Sequence, residues 1–151
     1  MNCFPDTSFL CSVYRTQVHS PKADAFMATR TGAIPVSTFL LLEFRQSVRL
    51  QARLHGNDKT KGFGKHEATQ MLKDLESDLR TKVLEVVPVD WSAVHQRAEE
   101  LSARHTEHTG HRLADIVHVA TALHLGKTDF LTFDANQKRL AVAEGLKVVA
   151  V

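Results

Sequence analysis

The chain holds only two cysteines in 151 residues, Cys3 and Cys11. Two thiols cannot build a secreted disulfide framework or supply a four-ligand zinc site. They read as reduced, small apolar residues, one on a first strand and one on a first helix. Long apolar runs are missing as well. No stretch approaches the roughly 18 consecutive apolar residues that cross a bilayer. The N-terminus has no basic segment leading into an apolar one, so it is not a signal peptide. These absences predict a cytoplasmic protein with no membrane association. Net charge is low at +2, which permits a polyanionic partner without arguing for one. There is no internal repeat and no low-complexity tract. Gly62 and Gly64 are not followed by the Gly-Lys-Ser/Thr ending of a phosphate-cradling loop, and no serine-nucleophile elbow is present.

What remains is an ordinary globular composition, 43% hydrophobic and 24% charged. Its length predicts one domain over residues 1–151, large enough to bury a core unaided. The chain is organised around Asn2-Cys3-Phe4-Pro5-Asp6-Thr7-Ser8-Phe9-Leu10. An apolar run stops at an acid, a hydroxyl residue follows two positions later, and Phe9, Leu10 and Val13 then recur at helical spacing. A strand that ends in Asp and turns into a helix sets that carboxylate at the carboxyl edge of a sheet, where open α/β sheets bind ligands. Asp129-Phe130-Leu131-Thr132-Phe133-Asp134, ahead of a helical 135–143, repeats the arrangement.

Between these ends, 34–36 reads as a strand and Ser37 or Thr38 as the cap of a helix reaching about Leu54. Residues 55–64 form a glycine- and charge-rich break, expected to be a mobile loop. A surface helix over 65–80, a strand over 83–87, a helix to about His105 and a helix apolar nearly all round over 113–125 follow. A last strand is predicted over 147–151. Apolar strands alternating with helices predict a three-layer α/β sandwich with a central, mostly parallel five-stranded sheet.

Four acids stand apart from the solvated ones. Asp6 and Asp134 lie at strand ends, Glu43 interrupts an apolar helix face, and Asp115 sits in the first turn of the apolar helix. Each has an ordinary explanation: Asp134 as a helix cap, Asp115 as a complement to its helix dipole, Glu43 as partner of an arginine or solvent. Asp6 is least well explained so, because the pattern recurs at the second strand. If the four converge, their mutual repulsion calls for a cation. Hard divalent ions such as Mg²⁺ or Mn²⁺ take all-oxygen ligands and can activate water against a phosphodiester.

The motifs Asp6-Thr7-Ser8, Leu42-Glu43-Phe44, Leu113-Ala114-Asp115-Ile116-Val117-His118-Val119-Ala120-Thr121-Ala122 and Leu131-Thr132-Phe133-Asp134-Ala135-Asn136-Gln137 together resemble the PIN-domain family. The length is like that of its VapC-type toxins from bacterial toxin–antitoxin pairs. The resemblance spans essentially the whole chain. It implies a metal-dependent ribonuclease acting on single-stranded RNA, with one or two Mg²⁺ or Mn²⁺ ions, a homodimer, and an antitoxin partner whose tail fills the active-site groove. Carried onto this sequence, Asp6, Glu43, Asp115 and Asp134 would bind metal, with Ser8 and Thr132 as polar helpers. A binding module with structural acids, and a phosphoesterase acting on another substrate, remain as alternatives.

Other signals are weaker. His105, His108 and His111 invite a zinc site but lack a completing cysteine or acid set, and read better as exposed residues at a helix end. His118 reads as a core histidine or as one that hydrogen-bonds near the site. Arg45, Arg49 and Arg53 recur every four residues, as a solvated face or as a ridge for phosphates. Arg53, with Lys59 and Lys61 in the glycine-rich loop, is the expected substrate contact.

Overall fold

The computed structural model describes residues 1–149. Twelve elements follow in order: β1 (Cys3–Pro5), α1 (Thr7–Tyr14), α2 (Ser20–Thr29), β2 (Ile34–Val36), α3 (Thr38–Asn57), α4 (Lys65–Arg80), β3 (Leu84–Val86), α5 (Trp91–Thr109), α6 (Leu113–His124), β4 (Asp129–Leu131), α7 (Ala135–Ala143) and β5 (Lys147–Val149). Residues 150 and 151 of the expected last strand lie outside the described part. Residues 15–30, left without a helix of their own in the sequence reading, contain α2.

Four helices start on a side-chain cap. Asp6, Ser37, Asp90 and Asp134 accept from the backbone N–H groups of Phe9, Leu40, Ala93 and Gln137. Each cap satisfies a donor that helix geometry leaves unpaired. Helix α5 runs past the expected end near His105, to Thr109, and stops at Gly110 in the left-handed region.

Every strand pairing is parallel, as helical crossovers require. Strands β1 and β2 are buried along their whole length. Successive side chains point to opposite faces, so both faces of the sheet are covered. Helix α6 is buried at every position from Asp115 to Ala122.

The expected five-stranded sheet is not continuous. A three-stranded ladder, β1-β4-β5, and a two-stranded ladder, β2-β3, take its place. Strand β2 lies alongside β1, but no ladder joins them. Proline accounts for the break. Asp6 donates its N–H to Leu131 on β4, so by strand alternation the nitrogen of Pro5 faces the other way, toward β2. Ile34 donates to Val83 on the β3 side, so the nitrogen of Pro35 faces β1. Both positions lack the N–H that a ladder needs there.

The break over 55–64 is not an open loop either. His55 Nδ1 lies 3.1 Å from the Lys61 carbonyl oxygen, and Asp58 accepts from both the N–H and the hydroxyl of Thr60. Gly62, at φ +61°, lies so close to α3 that a Cβ would sit 2.1 Å from the Gln51 carbonyl oxygen. The loop is folded back onto the helix it leaves, and only glycine fits at that contact.

Candidate active site

Asp6 and Thr132 follow paired strand ends, with Pro5 opposite Leu131. Asp6 is 3% exposed. Its Oδ1 accepts from Ser8 Oγ at 2.6 Å and from the Phe9 N–H at 2.9 Å, and its Oδ2 from Thr132 Oγ1. Ser8 Oγ also accepts the Phe133 N–H at 2.9 Å, and Thr132 Oγ1 accepts the Asp134 N–H at 3.0 Å. The two hydroxyls therefore lock the β1 turn to the β4 turn. Packing reinforces this, because Phe133 stacks on Phe9 of α1 at 5.9 Å and on His19 at 4.6 Å. Burial pushes the Asp6 carboxyl up to about 6, against the opposing pull of its three donors and of His118.

Glu43 reaches the site from α3. It accepts from Thr7 Oγ1, and His118 Nε2 lies 3.3 Å from its Oε1. Among the described residues, neither ring nitrogen of the buried His118 has a partner in hydrogen-bond geometry. Burial alone would raise the Glu43 carboxyl, but His118, Thr7 and Arg112 outweigh it and hold it below the usual range.

Asp115 is held by Arg112, with Nε at 3.0 Å from Oδ2 and an Nη at 3.3 Å from Oδ1. The Arg112 side chain is 77% exposed and the Asp115 side chain 7%. The bond to Asp115 and the charges of Asp115, Asp134 and Glu43 all hold Arg112 more firmly protonated. Three of the four acids thus act on one cation. Asp134 is half-buried and caps α7, accepting the Gln137 N–H at 2.8 Å.

A cleft of about 420 Å³ opens beside this set, lined by Thr7, Ser8, Cys11, Glu43, Ser47 and Arg112 among others, so that of the four acids Glu43 alone lines it. As the side chains stand, no three Asp, Glu, His or Cys groups among the described residues enclose a metal ion. Asp115 is turned to Arg112 and Asp134 to its helix. The donors are nevertheless all hard oxygens, and a buried carboxylate with a raised pKa is a site where a cation is favoured. The residues fit a divalent ion in chemistry.

The sequence-selected basic residues lie elsewhere. Arg53 lines a separate depression between α3 and α4, and Lys59 and Lys61 are exposed in the folded-back loop. None of the three lines the acid cleft. Arg45 pairs with Glu76 at 2.6 Å. The three histidines do not form one cluster, and only His108 is exposed as expected. His105 is half-buried on Glu144 at 2.6 Å, and His111 is buried on Thr109 at 2.6 Å, with the two rings edge to face at 6.4 Å. Sequence reasoning passed over Thr7 and Arg112. The one signal for Arg112 was its place three residues before Asp115, one helical turn away.

The PIN-domain family model matches residues 3–143. The chain is a PIN domain. No curated protein sequence matches it closely. Among solved structures, this PIN domain is similar to Mycobacterium tuberculosis VapC20, described as a sarcin-ricin loop cleaving toxin. The TM-score is 0.68 at 19% identity, over 97% of this chain and 98% of that one. It is similar also to FitAcB from Neisseria gonorrhoeae, with a TM-score of 0.60 at 15% identity, over 97% and 96% of the two chains. At such identities the likeness is one of fold. Asp6 and Asp134 of this PIN domain cap the helices that leave β1 and β4, whose ends lie side by side.

Proposed function

We propose that this PIN domain is a metal-dependent endoribonuclease that cuts single-stranded regions of RNA, the toxin of a toxin–antitoxin pair. The observation that carries the reading is Asp6. It is a buried carboxylate at the shared end of two parallel strands, fixed by hydroxyls from both turns, beside a cleft that Glu43 and Arg112 line. Such a group is costly to build for stability alone. The fold's likeness to VapC20 supports RNA as the substrate class.

Asp6, Glu43, Asp115 and Asp134 would hold Mg²⁺ or Mn²⁺, which supplies an activated water and neutralises charge on the phosphodiester. Ser8 and Thr132 orient the Asp6 carboxylate. Thr7 and His118 hold Glu43 in its ionised form. Arg112 is the one arginine or lysine that lines the cleft among the described residues, and it is placed to meet a phosphate once released from Asp115. Leu50 lines the cleft, Leu42 and Leu54 share its helix, and all three are exposed. They offer apolar surface for an antitoxin or for a second copy in a homodimer. The expected setting is the cytoplasm, with the 151 residues as one domain.

Cleavage of a mixed single-stranded RNA pool with Mg²⁺ or Mn²⁺, beside an EDTA control and the Asp6→Ala protein, tests this. Metal-dependent cutting that the variant loses is the expected result. The Arg112–Asp115 pair favours a second reading, in which an arginine permanently neutralises the acids of a silent RNA- or protein-binding module. That module would cut nothing with either ion.

A further inference from the structure

The acid cleft does not end at Glu43. Cys11 and Ser47 line it and also line a second pocket of about 340 Å³, a size found for small-molecule sites. This pocket is walled by Arg15, Gln17, Gln51 and Phe63. Three features distinguish it from a casual surface dent. The Arg15 guanidinium lies over the Phe63 ring, 4.9 Å from its centroid, and is anchored by Glu67 at 3.1 Å. Two side-chain amides face the same space. Gln17 is fixed through its Nε2 to Ser12 at 3.1 Å, while the Gln51 amide has no hydrogen-bond partner among the described residues. Finally, the wall bearing Phe63 is preset, because Gly62 seats the loop on the Gln51 carbonyl.

We propose that this pocket receives one base of the RNA strand whose phosphate lies at the acids. The proposal rests on the nuclease reading above and adds a site of recognition to it. Planar guanidinium and phenyl groups are what a splayed-out base stacks on, and amides can pair with its polar edge. A purely apolar peptide side chain would leave the Gln51 amide unpaired on burial, at a cost. The shared wall of Cys11 and Ser47 makes the two pockets one groove, so base and phosphate can belong to neighbouring nucleotides. The basic residues chosen from sequence lack that continuity.

The test is a coupling measurement. A non-cleaving Asp6→Asn protein is titrated with fluorescent six-nucleotide RNAs in Mg²⁺, intact or carrying one abasic position at each site in turn. One abasic position is expected to weaken binding about tenfold, within the range for loss of one base–aromatic stack. Adding Phe63→Ala should weaken the intact RNA similarly and abolish the effect of that abasic position. Gln51→Ala, which leaves the loop contacts through the backbone in place, should also reduce the coupling. RNA that binds with no coupling at any position would overturn the pocket while leaving the nuclease reading standing. RNA that does not bind at all, to this protein or to the wild type, would remove both readings and leave the groove to a protein partner.

Discussion

Thr132 Oγ1 donates to Asp6 Oδ2, 126 positions away in the chain, while accepting the Asp134 N–H. Removing it leaves a buried carboxylate oxygen and a backbone donor short of a partner. Thr132→Val, nearly the same shape, is expected to cost about 1–3 kcal/mol and to reduce RNA cleavage. Thr132→Ser should recover most of both. Urea denaturation of the three proteins measures the first effect, and equal midpoints would show that the hydroxyl is dispensable.

The raised Asp6 carboxyl has a defined pH signature in metal-free buffer. Its folded pKa of about 6 lies above the ordinary 3.8, so the folded state holds this proton more tightly than the unfolded chain. That stabilising contribution is complete below about pH 4 and is lost as pH rises to about 6. Asp6→Asn carries no such penalty. It should therefore be more stable than wild type at pH 7–8, by at most about 3 kcal/mol, and the gap should close toward pH 4. A gap constant with pH, or of the opposite sign at pH 8, rules the assignment out.

Arg112 and a divalent ion would compete for Asp115. Because the arginine side chain is largely exposed, Arg112→Ala should change the metal-free melting temperature only slightly. The rise in melting temperature produced by millimolar Mg²⁺ or Mn²⁺ should be larger in the variant than in wild type, since a ligand that binds only the folded state stabilises it. Differential scanning fluorimetry across metal concentrations decides the matter. Identical rises in the two proteins would mean that arginine and metal do not share the carboxylate.

Gly62 and Gly110 have nearly the same positive φ, +61° and +66°, yet differ in their surroundings. A Cβ at Gly62 meets the Gln51 carbonyl, whereas one at Gly110 meets nothing within 4 Å. Gly110→Ala should cost only the strain of left-handed backbone, about 1–2 kcal/mol. Gly62→Ala should in addition lift the loop from α3. Hydrogen exchange at residues 58–64 is expected to speed up in the second variant and not in the first.

Much of this was legible because the relevant physics is local. Asp6, Ser37 and Asp134 announce their helices by cap chemistry, and the all-round apolar pattern of 113–125 gave a buried helix. Glu43 stood out as an acid on an apolar face, but its partners Thr7 and His118 are set by tertiary packing and no short-range rule finds them. A cap and a metal ligand also demand the same residue at the same place, so Asp134 could not be assigned from its neighbours in sequence. The discontinuity of the sheet was hidden for a different reason. Pro5 and Pro35 each look tolerable in a short strand. Only the strand order turns their missing donors toward each other. The folded-back loop was misjudged because glycine signals freedom in a sequence and can mean close approach in a structure.

That proline seam runs beneath the acids. Asp6 and Thr132 issue from the three-stranded ladder, whereas Glu43 stands on the helix that leaves the two-stranded one. Where backbone ladders would normally weld neighbouring strands, side chains do the joining here: Thr7, at the start of α1, reaches across to Glu43. The acids accordingly sit at a joint and not on a slab. Anything that draws Asp6 and Glu43 onto a common charge also clamps the two halves of the sheet, making the cleft's occupant a structural fastener of the fold.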